Sequence, residues 1–296
     1  MCRLAAVRGS HGVTPVEERR FTLASGLALA ARVHHPGAPR RVLAVHGWLD
    51  NAASFDAIAS LLPDCEIVAL DLAGHGRSDH RPPGAWYHYV DYLDELLQVL
   101  DQLQWTRSTW LGHSLGGALL SLLASACPAR VEHLLLIESA GPLSGEATDA
   151  PGRLRDALDE RMAFAAGKRL RVFEDLDAAV QARRQAGGLS ERASRSLVDR
   201  GVEAVAGGWR WSSDPRLRLA SPFRVDAAHV DAILRQIECP TLMLLADPPL
   251  PFMDAAQRAA RLAALAKAER RDFPGHHHLH METPAPLAEA IRAFLG

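Results

Sequence analysis

Gly112-His113-Ser114-Leu115-Gly116-Gly117 follows the apolar run Ser108-Thr109-Trp110-Leu111 and precedes the apolar stretch Ala118-Leu119-Leu120. A serine between a strand and a helix, with glycine two residues to either side, fits a sharp turn that lifts its hydroxyl clear of a sheet, the glycines sparing neighbouring chain from collision. Ser114 is therefore the candidate nucleophile. The same reading predicts a strand over Thr109 to Leu111 and a helix over Leu115 to Ala126.

Outward from this turn the chain alternates. Phe21 to His34 holds two short apolar runs about Ser25-Gly26, a hairpin signal. Arg41 to Val45 and Ile67 to Leu70 are compact apolar runs that suit buried strands, and Ser54 to Leu62 carries Phe55, Ile58, Leu61 and Leu62 at helical spacing. Leu93, Leu96, Leu97, Leu100 and Leu103 mark an amphipathic helix, and Leu134 to Ile137 the next strand. Repeated strand-helix units predict a mostly parallel sheet flanked by helices on both faces. Near Gly141 the rhythm stops, and about ninety Arg-, Ala- and Asp-rich residues of helical texture follow. It resumes with a strand at Thr241 to Leu245, a helix over Ala255 to Ala266, a short strand near Arg271 to Phe273 and a last helix over Pro286 to Leu295.

The 296 residues suffice for one large domain with an insertion or for two modest domains. A formal charge of -2, with arginines interspersed among acids, leaves no positive field for phosphates, so no nucleic-acid partner is expected. Cys2, Cys65, Cys127 and Cys239 are too dispersed for a zinc or disulfide framework and read as buried free thiols. Met1 to Val16 carries Arg3 and Arg8 but no continuous apolar core of a signal peptide, and no run reaches the roughly 18 apolar residues of a membrane span. A cytoplasmic protein with no membrane partner is expected. Oligomeric state is not readable; a homodimer is the base-rate expectation among oligomers.

A serine hydroxyl needs a base to become a nucleophile. The richest histidine cluster, His276-His277-His278-Leu279-His280, lies near the C-terminus. With His46-Gly47-Trp48, the segment Asp71-Leu72-Ala73-Gly74-His75-Gly76-Arg77-Ser78-Asp79 and the Ser114 turn, this chain resembles the α/β-hydrolase-fold serine hydrolases. His46 to Asn51, Asp214-Pro215-Arg216-Leu217 and Gly275 to Glu282 are similar to the serine hydrolase-like branch of that family.

The resemblance implies a core over residues 1–143 and 236–296 with an inserted helical cap over 144–235. It implies His277 as base, by register from His280-Met281-Glu282, with His276 and His278 as competitors. For the acid it offers two places: Glu138, at the end of the strand Leu134 to Ile137, is favoured over Asp247, because Pro249 occupies the family's commoner acid position. Backbone N–H groups of Trp48 and Leu115 are implied as the oxyanion hole. His113, Trp209 and Trp211 are candidates to line the substrate pocket, with Phe223 and Met162 as further cap residues that either face substrate or hold the cap to the core. His46, Asp71, Arg77 and Asp79 read as residues that fix loops around the site.

The implied reaction is hydrolysis of a small carboxylic ester with an apolar acyl group through an acyl-enzyme on Ser114, with no cofactor. Lactone, thioester and carbon-carbon hydrolysis and perhydrolysis remain alternatives on the same fold, as does a non-catalytic small-molecule binder. No metal is expected, since consecutive loop histidines cannot all turn toward one ion and no cysteine or carboxylate cluster stands beside them in sequence.

Overall fold

Among the described residues, eight strands join into one sheet in the order β1-β2-β4-β3-β5-β6-β9-β10. They are β1 (Glu17–Thr22), β2 (Ala28–His34), β3 (Arg40–Val45), β4 (Cys65–Leu70), β5 (Ser108–His113), β6 (Val131–Ile137), β9 (Thr241–Asp247) and β10 (Glu269–Pro274). Only β2 runs against the rest. The computed structural model describes residues 16–165, 171–249, 255–265 and 267–296. Cys2, Arg3, Arg8 and Ala266 lie outside them, as does most of the segment Met1 to Val16; the described cysteines are free thiols, but only Cys65 of them is buried, Cys127 and Cys239 being half-buried.

The central strands read as continuous apolar runs because both faces are covered. With side chains alternating, Leu43, Val45, Val68, Leu70, Trp110, Leu134, Leu136, Met243 and Leu245 point into one core layer. There they meet α2 (Tyr89–Gln102) and α3 (Leu115–Ala126) through Leu96, Leu100, Leu119 and Leu123. Val42, Ala44, Ile67, Ala69, Leu111, Leu135, Ile137, Leu242 and Leu244 point into the other. That layer is closed by α1 (Asp56–Ala59), by α9 (Leu279–Glu282) through Leu279 and by α10 (Pro284–Leu295) through Leu287 and Ile291. Burying one Leu or Ile side chain in such a layer contributes about 1.5–3 kcal/mol, so this double layer sets where the strand ends lie.

Between β6 and β9 the chain forms α4 (Ala150–Ala165), α5 (Leu176–Gly187), α6 (Glu191–Gly201), a strand pair and α7 (Ala227–Arg235). Asp175 and Ser190 start α5 and α6 by accepting the N–H groups of Ala178 and Ala193, and Gly188 in the left-handed region ends α5. Two features depart from an all-helical insertion over 144–235. The strands β7 (Val202–Val205) and β8 (Gly208–Trp211) pair antiparallel around Ala206-Gly207. In addition, α7 seats Val230 and Leu234 in the sheet's own core and packs on α3 and on α8 (Ala255–Ala264), so its residues serve the sheet rather than the covering piece. No helix among the described residues is long and apolar enough to cross a membrane.

Candidate active site

Ser114 links β5 to α3 with φ 49° and ψ -112°, a conformation that costs an L-residue about 1–3 kcal/mol and persists only where its surroundings enforce it. The enforcement is steric. A Cβ on Gly112 would stand 2.5 Å from the Cα of Gly117, one on Gly116 would stand 1.9 Å from the carbonyl oxygen of Val45, and one on Gly117 would stand 2.5 Å from the Cβ of Ser139. Glycine at all three lets α3 start directly against the ends of β3 and β6. Ser114 N–H then donates to Ile137 O at 3.0 Å, and Gly116 N–H to His46 O at 3.1 Å.

The bond to His46 O draws the loop after β3 alongside the first turn of α3. The N–H groups of Trp48 and Leu115, the two implied oxyanion donors, have no partner among the described residues. The Trp48 indole is 53% exposed, and its Nε1–H donates to Leu217 O at 3.0 Å. Leu217 itself is set by Asp214, which accepts from Arg216 and from the Tyr87 hydroxyl at 2.8 Å, while Asp214 N–H donates to Gly74 O. The Asp214-to-Leu217 string thus holds the Trp48 side chain.

Of the clustered histidines, His276 is exposed, His278 and His280 are buried, and His277 lies between these extremes. The loop that carries them leaves β10 at Gly275, whose φ of 149° and approach to Leu279 exclude a side chain. His277 Nδ1 faces Glu138 Oε2 at 3.5 Å. Glu138 follows β6 with φ 50°; its N–H donates to Leu244 O at 3.0 Å and its Oε1 accepts the Ala246 N–H at 2.5 Å. One carboxylate oxygen is thereby fixed to the backbone and the other is left for the imidazole. Asp247 has an exposed side chain; its backbone carbonyl accepts the Gly275 N–H, and its carboxylate contacts no histidine among the described residues. The structure therefore brings Glu138 and His277 together and leaves Asp247 apart.

His113 does not line a pocket, as expected from its place beside Ser114; it is wholly buried. Its Nε2–H donates to the carbonyl of His277 at 2.8 Å, and its ring lies 4.7 Å from the His277 ring. Burial lowers its pKa to about 4, with the neighbouring His277 and His278 acting in the same direction and Asp50 against them. Trp209 and Trp211 also depart from the pocket expectation. They pack with Phe173, Val180 and Val198 in the insertion's own small core, the Phe173 and Trp211 rings meeting edge to face at 5.2 Å. Phe223 and Met162 are exposed.

The loop-fixing residues form two sets. Asp71 accepts the N–H groups of Ala52 at 2.7 Å and Arg77 at 2.8 Å together with the Arg200 guanidinium, and Asp79 accepts from Arg20 and from Ala28 N–H. His46 donates Nδ1–H to Gly47 O and accepts the Leu72 N–H at Nε2; burial lowers its pKa to about 4 and that of its neighbour His75 to about 3.

Asp50 carries a role that sequence reading missed. Its Oδ2 accepts from His278 Nε2 at 3.1 Å and faces His113 Nδ1 at 3.5 Å, while Arg183 of α5 holds Oδ1. Burial alone would raise this carboxyl, but His278 and Arg183 outweigh it and keep it well below the usual carboxylate range. The fold delivers this carboxylate to the histidine loop from 228 residues away, so it was not among the loop's sequence neighbours. The only available signal was Asp50 following His46-Gly47-Trp48-Leu49, and one-dimensional spacing does not connect it to His278.

The α/β hydrolase fold family model matches residues 40–284. The chain is 30% identical to a serine hydrolase-like protein of Danio rerio, over 90% of this chain and 85% of that protein. It is 32% identical to a probable serine hydrolase of Drosophila melanogaster, over 86% and 80%. Among solved structures it is similar to a hypothetical protein from Pseudomonas aeruginosa, at 42% identity, TM-score 0.87, and coverage of 95% and 98%. It is also similar to the thioesterase domain from the curacin biosynthetic pathway, at 27% identity, TM-score 0.83, and coverage of 94% and 100%. The parallel sheet, the strained Ser114 turn and these matches agree, and the chain belongs to the α/β hydrolase family.

Proposed function

We propose that the protein is a serine hydrolase that cleaves small carboxylic esters with an apolar acyl group, using Ser114, His277 and Glu138. The observation that carries this reading is the Glu138–His277 pair, built at the strand ends that also carry the strained serine. His277 takes the Ser114 proton as Oγ attacks the acyl carbonyl, and Glu138 stabilises the imidazolium through Nδ1–H. The oxyanion is met by Leu115 N–H and Trp48 N–H, donors that need no rearrangement because nothing among the described residues occupies them. Collapse expels the alcohol, which takes the proton from His277 and leaves an acyl-serine. Water, deprotonated by the same imidazole, then attacks the acyl carbon; collapse breaks the acyl–Oγ bond, His277 returns the proton to Ser114 Oγ and the acid is released. Serine, base, acid and water balance these steps, and no cofactor enters them.

The 3.5 Å separation of His277 and Glu138 is long for a working hydrogen bond, and catalytic contacts of this kind shorten when substrate is bound. A fluorophosphonate probe tests the reading directly. Labelling is expected in the wild type and absent in Ser114→Ala; a folded wild type that stays unlabelled removes the enzyme reading and leaves the non-catalytic binder. A panel of p-nitrophenyl esters of increasing chain length then reads the acyl preference. Thioester hydrolysis is a second reading, favoured by the similarity to the curacin thioesterase domain. Acyl-cysteamine thioesters in the same panel separate the two through kcat/KM.

A further inference from the structure

Beneath the base, Asp50, His113 and His278 bring three ligand atoms within 4.8 Å of one another, all from buried residues. Two features of this cluster are unlike an ordinary hydrogen-bonded network. His113 donates Nε2–H to the His277 carbonyl, so in the neutral ring Nδ1 carries a lone pair, and that lone pair points at Asp50 Oδ2 across 3.5 Å with no proton between them. A buried nitrogen of this kind forfeits the hydrogen bond that water gives it in the unfolded chain. Residue 47 is glycine, and the place where its Cβ would stand, 2.8 Å from His113 Nδ1 and 3.1 Å from Asp50 Oδ2, holds no side chain. Two facing acceptors, beside a residue that carries no side chain to fill the space between them, suit a cation.

The surroundings match those of metal ligands. A metal-bound histidine typically donates its other ring N–H to a carbonyl or carboxylate, as His113 does to His277 O, and a ligating carboxylate is itself hydrogen-bonded, as Asp50 Oδ1 is by Arg183. The separations of 3.1 Å for Asp50 to His278 and 3.5 Å for Asp50 to His113 bracket the ~3.3 Å edge of a tetrahedron with metal-ligand bonds of about 2.0 Å. Two imidazoles and one carboxylate, without a thiolate, select a borderline dication such as Zn²⁺ or Co²⁺ over Mg²⁺ or Ca²⁺. The His278 and Arg183 side chains keep 10% and 15% of their surface exposed, which gives a route in from beneath α5.

We propose that Asp50 Oδ2, His113 Nδ1 and His278 Nε2 bind one transition-metal dication of the zinc class, and that its binding slows the hydrolase. The second clause rests on the functional reading above. His278 adjoins the base in sequence and His113 holds the base's carbonyl, so drawing both onto an ion pulls the His277 backbone away from its position opposite Glu138.

The test uses the full chain treated with EDTA and then dialysed free of it. Titration with ZnCl₂ by calorimetry is expected to give one site per chain, and CoCl₂ to give the visible absorption of a low-coordinate Co²⁺ centre. His278→Gln and Asp50→Asn each weaken binding by at least about ten-fold, whereas His276→Ala and His277→Ala retain it. Zn²⁺ slows fluorophosphonate labelling of the wild type and leaves labelling of His278→Gln unchanged. Circular dichroism melts check folding; the amide introduced by His278→Gln keeps a donor toward Asp50, so this variant carries the test where Asp50→Asn does not fold. Absence of zinc binding to the wild type overturns the proposal. So does binding that survives His278→Gln, or that disappears in His276→Ala or His277→Ala. A protein that binds zinc at this site but never labels keeps the metal site and loses the hydrolase reading, so the two failures are distinct.

Discussion

Around Ser114 the constraints are close approaches of backbone to backbone, whereas around His277 they are polar side chains that reach across the fold. The serine turn is closed by three glycines within six residues, each placed where a methyl group would meet a neighbouring strand or helix. The histidine loop is held by Glu138, by His113 and by the Asp50–His278 pair, contacts that span 139, 164 and 228 residues. Steric enforcement is all or nothing, since a packed interior has no slack to absorb an added methyl. Polar enforcement is divisible, so its loss should be graded.

The largest expected effect tests the steric side. Gly116→Ala places a methyl 1.9 Å from the Val45 carbonyl, and both partners are fixed to backbone, so neither can rotate away. We expect no folded protein, or a protein destabilised by more than about 3 kcal/mol that no longer reacts with a fluorophosphonate. A stable, reactive Gly116→Ala protein would mean that α3 can retreat from β3, and the contrast between the two sides would collapse.

Next in size is the acid. Glu138→Gln preserves the shape and the bond from Ala246 N–H but removes the charge that stabilises the imidazolium, and kcat is expected to fall by roughly 10³–10⁴ with little change in KM. Asp247→Asn is expected to stay within about three-fold of the wild type, because that carboxylate is exposed and contacts no described histidine. The reverse pattern in ester-hydrolysis assays would transfer the acid's role to Asp247.

Legibility in the sequence follows the same division. The strand before Ser114, the helix after it and the core strands could be read because each is a local apolar run whose period matches its burial; the helix Leu115–Ala126 lies where the spacing puts it. Glu138 was singled out only through resemblance, since nothing local in the sequence distinguishes it from the chain's other acids. Asp50 was not legible at all, because its significance depends on three elements meeting. The hairpin of β7 and β8 had a signal, two four-residue runs about Ala206-Gly207, which the surrounding helical composition outweighed. The indoles of Trp209 and Trp211 pack where that hairpin meets α5 and α6, and aromatic character alone does not separate such a role from a pocket wall.

Acidification acts on both sides at once. His46 and His113 have pKa values lowered from 6.5 to about 4, and His75 to about 3, chiefly by burial. Each is neutral when folded and takes up a proton on unfolding below pH 6.5, so the unfolded state binds more protons and stability falls as pH falls. The loss begins near pH 6.5 and continues through the folded values toward pH 3 to 4, each histidine adding up to about 1.4 kcal/mol per pH unit. Differential scanning calorimetry should show Tm flat above about pH 7 and falling steeply below about pH 6. A Tm that holds down to about pH 4.5 would mean that these imidazoles are charged in the folded protein.

The smallest effect isolates a histidine with no polar task on the base side. His280 is wholly buried against Phe55 and His113, at ring separations of 5.4 and 4.4 Å, and neither of its ring nitrogens has a hydrogen-bond partner among the described residues. Burial holds its pKa well below the usual histidine range, so it too sheds stability on acidification. His280→Leu replaces it with an apolar side chain of similar bulk and removes both unpartnered nitrogens. Stability at about pH 7.5 is expected to change by no more than about 1 kcal/mol, in the stabilising direction, with Ser114 labelling unaltered. The slope of Tm below about pH 6 should also lessen by one histidine's share. A loss of more than about 2 kcal/mol would show that His280 holds the loop through a polar contact, extending the long-range control of His277 to a further imidazole.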